Sequence, residues 1–513
     1  VISAGILDRS SSVPLHAQLT QGLRVAVVEG RLVAGEALPS TRVLADDLGV
    51  ARGTVVAAYD TLVGEGYFLA RPGARTIVAA LPRHAVVSAA VSAAPTTSAS
   101  SFVDLRPGRP GTRGLADAAW RSAWRRASAV DLDPDVFDDQ GLPALRAEIA
   151  GHLGRTRGVA VDPGDVIVTA GTSDALLLAA LALPARRPDG IRRFGVENPG
   201  YPRVRMILER VGVEMVALPV TPGEGLDLAA VEEHDDLDAV VVTPHHHYPL
   251  GSRLDAAARA RLVAWAHATG TVVIEDDYDS EFPHGRAPLP PLRLLDPRGV
   301  ILVGTLSKVL SPALRFGWVV ASGEVRDRLC ETRADLDLSV SGVTQNALAL
   351  YLADGSLARH TARRRRDYRH RRRLVLEALE PVAGVQLAAM NGGLHAVALL
   401  PAVPPEEESR LVARIAARGV LVAGLGSYAF PDASTGLPAG LVLGYAEPTT
   451  VRLAEALSVV AEVLSEAAAG VVSGMTAGAA SGVESGVEPG VELGVESDVD
   501  SGVMSELGGG LPR

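Results

Sequence analysis

Apolar residues fall along this chain in two rhythms. Near the start, Leu15, Leu19, Leu23 and Val27 recur at helical spacing behind Pro14, which predicts an amphipathic helix. Gly35-Glu36-Ala37-Leu38-Pro39-Ser40 interrupts it, and Ser40 can cap a helix over 41–48 that Gly49 ends. Val55, Ala58, Tyr59 and Leu62 then stand at core spacing in a second helix predicted over 52–65. Gly66-Tyr67-Phe68-Leu69, a turn at Pro72-Gly73, and Thr76-Ile77-Val78 predict a hairpin. Further on, short apolar runs at 166–168, 239–242, 271–274 and 300–303 alternate with amphipathic helical stretches. Buried short strands separated by helices predict a largely parallel α/β sheet.

Two stretches follow neither rhythm. Residues 79–101 are rich in Ala, Val, Ser, Thr and Pro and read as an interdomain connection. From about 469 the chain degenerates into units such as Ser481-Gly482-Val483-Glu484 and Ser485-Gly486-Val487-Glu488. Glycine in every unit and the lack of aromatic residues leave nothing to form a core, so disorder is expected there. The expected organisation is a small first unit over 1–80, a flexible linker over 81–102, a large unit over 103–468, and an acidic low-complexity tail over 469–513. A chain of 513 residues is too long for one core, which agrees with this division.

Composition narrows the picture. Apolar content of 47% with 21% charged residues describes a globular protein, and no apolar run is long enough to span a membrane. The first residues show no basic segment leading into a long apolar core, and Cys330 is the only cysteine. Both point to a reducing cytoplasm. The formal charge of −11 looks unsuited to nucleic acid, but much of it sits in the tail, where seven acids face Arg513. Residues 8–78 carry seven arginines and seven acids, so DNA affinity there would need arginines gathered on one face.

Helix, short glycine turn, helix and hairpin make a winged helix-turn-helix, whose second helix presents Arg52, Gly53 and Thr54 at its start. Leu38-Pro39-Ser40-Thr41-Arg42-Val43-Leu44-Ala45-Asp46-Asp47-Leu48-Gly49-Val50, followed by Thr54-Val55 and Ala58-Tyr59, resembles the GntR-type winged-helix module. The resemblance implies DNA contacts by Ser40, Arg42, Arg52 and Thr54. The usual Gly-x-Gly-Thr of the wing is Gly73-Ala74-Arg75-Thr76 here, and Arg75 is a further candidate for a phosphate or minor-groove contact.

The chemistry of the large unit centres on Lys308, the only lysine among 49 Lys and Arg residues. Where arginine serves every other positive charge, a primary amine offers what a guanidinium cannot: it loses its proton and forms a Schiff base. Lys308 closes Gly304-Thr305-Leu306-Ser307-Lys308, a strand end of small and hydroxyl residues that suits pyridoxal 5'-phosphate. Gly171-Thr172-Ser173 lies between a strand and a helix start and can hold a phosphate. Glu275-Asp276-Asp277-Tyr278-Asp279 ends another strand with a carboxylate for a ring nitrogen and a phenol for a 3'-oxygen. Arg315 can grip the phosphate.

Residues 103–468 resemble a fold type I aminotransferase domain, and the order of motifs is that of the MocR subfamily of GntR regulators. The motifs are Glu197-Asn198-Pro199-Gly200-Tyr201-Pro202, Thr243-Pro244-His245-His246-His247-Tyr248-Pro249-Leu250-Gly251, Glu275-Asp276-Asp277-Tyr278-Asp279-Ser280-Glu281-Phe282, and Gly304-Thr305-Leu306-Ser307-Lys308. The resemblance implies Lys308 as the lysine of the internal aldimine, Asp276 at the pyridine nitrogen and Tyr278 at the 3'-oxygen. It places Tyr201 beside the cofactor, with Thr172, Ser173, Ser307 and Arg315 around the phosphate. Arg203 matches a position that meets an effector carboxylate in some relatives.

Four departures bear on function. The family's His-Gln is His246-His247, which alters a polar contact near the ring. Three successive histidines do not converge on one ion, so no metal is expected. Phe137 stands where many relatives carry a tyrosine that reaches the partner subunit's phosphate. Val442, in Gly440-Leu441-Val442-Leu443-Gly444, occupies the place of the arginine that clamps the substrate carboxylate in amino-acid aminotransferases. The basic run over 363–373 is read as a solvated helix face, with a DNA-backbone contact as its rival. Together these expectations describe a homodimeric regulator that binds operator DNA and senses PLP or an amino compound through Lys308, with little turnover. The alternative is a working aminotransferase carrying a DNA-binding domain.

Overall fold

The computed structural model divides into two units, Val1–Ser98 and Ala99–Arg513. It describes residues 7–11, 13–70, 75–80, 102–131, 139–285, 289–431 and 436–481, the side chains of 469–481 excepted. Phe137, the Pro72-Gly73 turn, residues 81–101 of the expected linker and the repeat units from 482 onward lie outside the described residues.

In the first unit, α1 (Leu15–Val28), α2 (Thr41–Leu48) and α3 (Arg52–Gly64) precede an antiparallel pair, β1 (Phe68–Leu69) and β2 (Ile77–Val78). Ser40 caps α2 as its spacing predicts, its hydroxyl accepting the Val43 N–H at 3.3 Å, and Gly49 ends the helix at φ 62°. Leu19, Leu23, Leu44, Val55, Leu62 and Phe68 form its core. The Tyr59 hydroxyl donates to the Pro39 carbonyl at 3.0 Å, fixing α3 against the loop that leads into α2.

The strands of the second unit are β3 (Val103–Asp104), β4 (Val166–Thr169), β5 (Arg193–Asn198), β6 (Glu214–Thr221), β7 (Gly225–Leu226), β8 (Ala239–Val242), β9 (Val272–Asp277), β10 (Val300–Thr305), β11 (Gly317–Val320), β12 (Gln386–Leu387), β13 (His395–Leu400), β14 (Val420–Leu421), β15 (Ala423–Gly424) and β16 (Ala439–Gly444). The large sheet runs β4-β11-β10-β9-β8-β5-β6-β7. The pairs joining β10, β9, β8, β5 and β6 are parallel, while β11 lies antiparallel to both β10 and β4. β4, β8 and β10 are buried along their whole length, which is why they read as unbroken apolar runs. A smaller antiparallel sheet runs β12-β13-β16-β15.

Two expectations need correction. The last helix spans Thr450–Ser481, so residues 469–481, assigned above to the disordered tail, continue a helix. The basic run lies in the helix Ser356–Leu379, but it is not simply a solvated face. Arg371 is buried and donates to the carbonyls of Tyr445 and Ala446. Arg365 pairs with Glu281 at 3.1 Å, and Arg372 donates to the Met390 carbonyl at 2.9 Å. These guanidinium groups pin the long helix to the segments beneath it, a role that sequence alone does not separate from solvation.

Candidate functional site

The candidate chemistry gathers where β4, β5, β8, β9 and β10 end. Ligands of open α/β sheets bind outside the carboxyl ends of such strands. Lys308 follows β10 and Asp276 is in β9, and both line a cavity of about 440 Å³. Thr172, Ser173, Tyr201, Arg203, Tyr278, Ser307 and Arg315 line the same cavity, so the structure brings together every candidate of the large unit.

The Lys308 amine donates to the Gly108 carbonyl at 3.1 Å. Gly108 has φ +90°, a backbone conformation that favours glycine, and this turn brings its carbonyl to the amine. Burial lowers the amine's pKa, and the Asp276 and Asp279 charges oppose that shift only in part. Burial, reinforced by the Asp277 charge, pushes the Asp276 carboxyl up to about 7 against the pull of Lys308. Asp276 Oδ1 is buried without a hydrogen-bond partner among the described residues.

At the other end of the cavity, Gly171 at φ +88° turns β4 into the helix Thr172–Ala182. Thr172 and Ser173 open that helix, so their N–H groups lack intrahelical acceptors, the arrangement that suits an anion. Arg315, itself left-handed at φ 46°, lays its guanidinium over Gly171, where a Cβ would lie 3.9 Å from Cζ. The Ser307 hydroxyl lies 2.9 Å from that of Thr305, whose oxygen also accepts the Ser307 N–H at 3.1 Å. Tyr201 meets the edge of Tyr248, ring centroids 5.6 Å apart, on the apolar wall. Val442 is fully buried in the core cluster that also holds Tyr248 and Tyr428, and places no cation there.

Several contacts were not legible in the sequence. Gly108 reaches Lys308 from 200 positions away, and the only local sign was the turn-forming Pro107-Gly108-Arg109-Pro110-Gly111. Glu197 accepts from the N–H and hydroxyl of Thr243 at 3.0 and 2.6 Å, which ties the ends of β5 and β8 together. The three histidines diverge: His246 meets Asp279 and Tyr278, while His247 Nδ1 accepts the Leu250 N–H at 3.3 Å. Among the described residues no group of three or more His, Cys, Asp or Glu is arranged to hold a metal.

In the first unit, Ser40, Arg42, Arg52 and Arg75 are exposed and Thr54 is half-buried. Arg52 Nε donates to the Thr41 hydroxyl at 3.4 Å, which joins the starts of α2 and α3.

A winged helix joined to a sheet with these strand-end groups defines a class: a helix-turn-helix regulator with a fold type I aminotransferase domain. Residues 15–78 match the model of bacterial regulatory proteins of the gntR family, and residues 116–458 match aminotransferase class I and II. The chain is 40% identical over 457 residues to the HTH-type pyridoxine biosynthesis transcriptional regulator PdxR of Corynebacterium glutamicum, spanning 89% of this chain and 96% of that protein. It is 33% identical to the probable rhizopine catabolism regulatory protein MocR of Rhizobium meliloti over 72% of this chain and 78% of that one. Among solved structures, the α-aminoadipate aminotransferase LysN of Thermus thermophilus superposes with a TM-score of 0.63 at 26% identity, covering 73% of this chain and 93% of that one. An archaeal alanine:glyoxylate aminotransferase superposes with a TM-score of 0.64 over 71% of this chain and 91% of that one, at 22% identity. This chain belongs to the MocR type of GntR-family transcriptional regulators. No helix among the described residues is long and apolar enough to cross a membrane.

Proposed function

We propose that this protein is a homodimeric regulator that binds operator DNA through its winged helix and pyridoxal 5'-phosphate in the Lys308 cavity, and that occupancy of the cavity biases operator affinity. The observation that carries the reading is the juxtaposition of a partnerless, buried Asp276 oxygen with the single lysine amine in one cavity. A buried polar atom without a partner is costly, and a cationic N–H satisfies it. When bound, PLP supplies an aldehyde for a primary amine and an electron-withdrawing ring.

Lys308 supplies the amine, and its lowered proton affinity makes the nucleophilic form more accessible than that of a free lysine. Asp276 would hold a proton on the ring nitrogen, and Tyr278 would hydrogen-bond the 3'-oxygen. Thr172, Ser173, Ser307 and Arg315 would hold the phosphate, and Tyr201 would pack beside the ring. Arg203 is placed for an effector carboxylate. In the winged helix, Ser40, Arg42, Arg52, Thr54 and Arg75 are the DNA contacts.

The buried, apolar Val442 supports sensing over turnover, because a valine cannot replace a bidentate guanidinium on an α-carboxylate. It also favours PLP over an amino acid as the effector. The likeness to a regulator of pyridoxine biosynthesis supports genes of vitamin B6 supply as the targets.

Spectroscopy and gel shift together test the reading. PLP added to the full chain should give a near-visible absorbance band and change operator affinity. Lys308→Ala should remove the band and the PLP response while keeping basal DNA binding. A PLP response that survives in Lys308→Ala refutes the sensor role. Sustained turnover of an amino donor with a 2-oxo acid would establish an enzyme instead.

A further inference from the structure

Beneath Tyr278 lies a buried histidine–aspartate pair that does not line the cavity. His246 Nδ1 stands 2.7 Å from Asp279 Oδ2, and both side chains are only 2% exposed. The same Nδ1 is 3.0 Å from the Tyr278 hydroxyl, which in turn lies 2.9 Å from the His246 carbonyl. His246 follows β8, whereas Tyr278 and Asp279 follow β9, so the contact links two neighbouring strand ends.

Proton accounting favours one arrangement. An ionised carboxylate only accepts, so the single Nδ1 hydrogen goes to Asp279, the nearer of its two neighbours. Nδ1 then has no lone pair for the phenol, and the Tyr278 hydrogen is directed to the His246 carbonyl. Burial works against the Asp279 charge, yet His246 holds its pKa below the usual carboxylate range. That charge in turn disfavours ionisation of the buried phenol.

The surroundings allow the pair little movement. Gly393 packs against it at φ +77°, where a Cβ would fall 2.4 Å from Asp279 Oδ2 and 2.7 Å from His246 Cε1. The Tyr445 hydroxyl donates to the Gly393 carbonyl at 2.8 Å, and the Gly393 N–H donates to the Phe282 carbonyl at 3.0 Å. His395 Nε2 lies 2.8 Å from the Pro249 carbonyl, and its ring centroid is 5.3 Å from that of His246. A buried carboxylate is costly to maintain even when it is hydrogen-bonded, so a site this enclosed calls for a role other than stability.

We propose that His246 and Asp279 are positioning residues for Tyr278: the pair holds the phenol oxygen at the cavity wall as a neutral hydrogen-bonding group. Neither residue lines the cavity, and Tyr278 is their direct contact with it, while the Asp279 charge also reaches Lys308 and Asp276 through space. The inference rests on PLP binding as proposed above.

A double-mutant cycle in the full-length protein tests it, with Tyr278→Phe, Asp279→Asn and the pair combined. The readouts are the absorbance maximum of the PLP-loaded protein and the equilibrium retention of PLP. Asp279→Asn should move the band in the same direction as Tyr278→Phe and weaken retention by about fivefold to tenfold, the scale of one hydrogen bond. Added to Tyr278→Phe, it should change both readouts by clearly less than it does alone, the remainder being the through-space effect of the Asp279 charge on Lys308 and Asp276. If the two effects instead multiply, or if Asp279→Asn leaves the band in place while Tyr278→Phe moves it, the positioning role is wrong. Should Asp279→Asn fail to fold, as judged by gel filtration and operator binding, His246→Phe replaces it in the cycle with the same expectation. Wild-type protein that retains no PLP would defeat the reading of the cavity itself, whereas additive effects defeat only the pair.

Discussion

Replacing Asp276 by asparagine should make the PLP-free protein more stable while weakening its hold on PLP. The carboxyl has an ordinary value of 3.8 and is raised to about 7 in the folded chain. A raised carboxyl favours folding below pH 3.8, and that contribution is lost as pH climbs towards 7. At about 1.4 kcal/mol per pH unit the full loss is roughly 4 kcal/mol by pH 8. Asparagine is nearly isosteric and carries no charge, so it escapes this loss. Its amide introduces an unmet donor, which takes back about 1–3 kcal/mol. A net gain of about 1–3 kcal/mol at pH 8 remains, and near pH 4, where the aspartic acid is neutral too, it should turn into a loss of about 1–3 kcal/mol. Thermal denaturation of PLP-free wild type and Asp276→Asn at pH 8 and pH 4 measures this directly. PLP retention should fall by about 10- to 100-fold, since a charge-assisted bond to the ring nitrogen is replaced by a neutral one. A variant less stable than wild type at pH 8, or one with unchanged PLP retention, would refute the assignment of Asp276 as a strained, cofactor-directed carboxylate.

Other expectations are simpler to state. Ser40→Ala removes the cap of α2 and should cost about 1 kcal/mol in the winged helix, read as a lower denaturant midpoint. If Arg52 contacts a phosphate, Arg52→Gln should reduce the slope of log affinity against log salt by about 0.9, measured on operator and non-operator DNA alike. Burial lowers His245, His284, His360 and His395 to about 4 and His247 to about 3, while Glu197, Glu275 and Asp276 are raised to about 7. Between about pH 5 and 6 the unfolded chain therefore gains protons on the histidines faster than the folded chain keeps them on the carboxyls. Stability should fall as pH drops through this range, by roughly 3 kcal/mol per unit for a net difference of two protons. Denaturant melts at pH 5 and pH 6.5 check the sign.

How much of this was legible beforehand depended on sequence distance. The winged helix was readable because Ser40, Gly49 and the α3 core positions act within a few residues of one another. Lys308, Asp276 and Thr172 announced themselves by residue type at strand ends. What escaped was whatever joins remote segments: Gly108 to Lys308, and Arg365 to Glu281 across 84 positions. The basic run was misread for the same reason, since a solvated arginine and one that caps buried carbonyls look alike in one dimension. The helix to Ser481 was missed because glycine content pointed to disorder, although 450–464 carries a clear apolar stripe of Leu453, Leu457, Val460 and Leu464.

The solitary amine at the end of β10 also makes this protein a ready-made chemical probe. Reagents selective for primary amines meet a single lysine side chain in the whole chain, and it stands inside the cavity. Labelling at that side chain therefore reports one place, with no background from a lysine-studded surface. Hydride trapping of a small aldehyde, followed by peptide mass mapping, would read the occupancy of this cavity residue by residue, even in a crude mixture. Its arginine-rich composition, unremarkable for folding, amounts to site-selective tagging without any mutation.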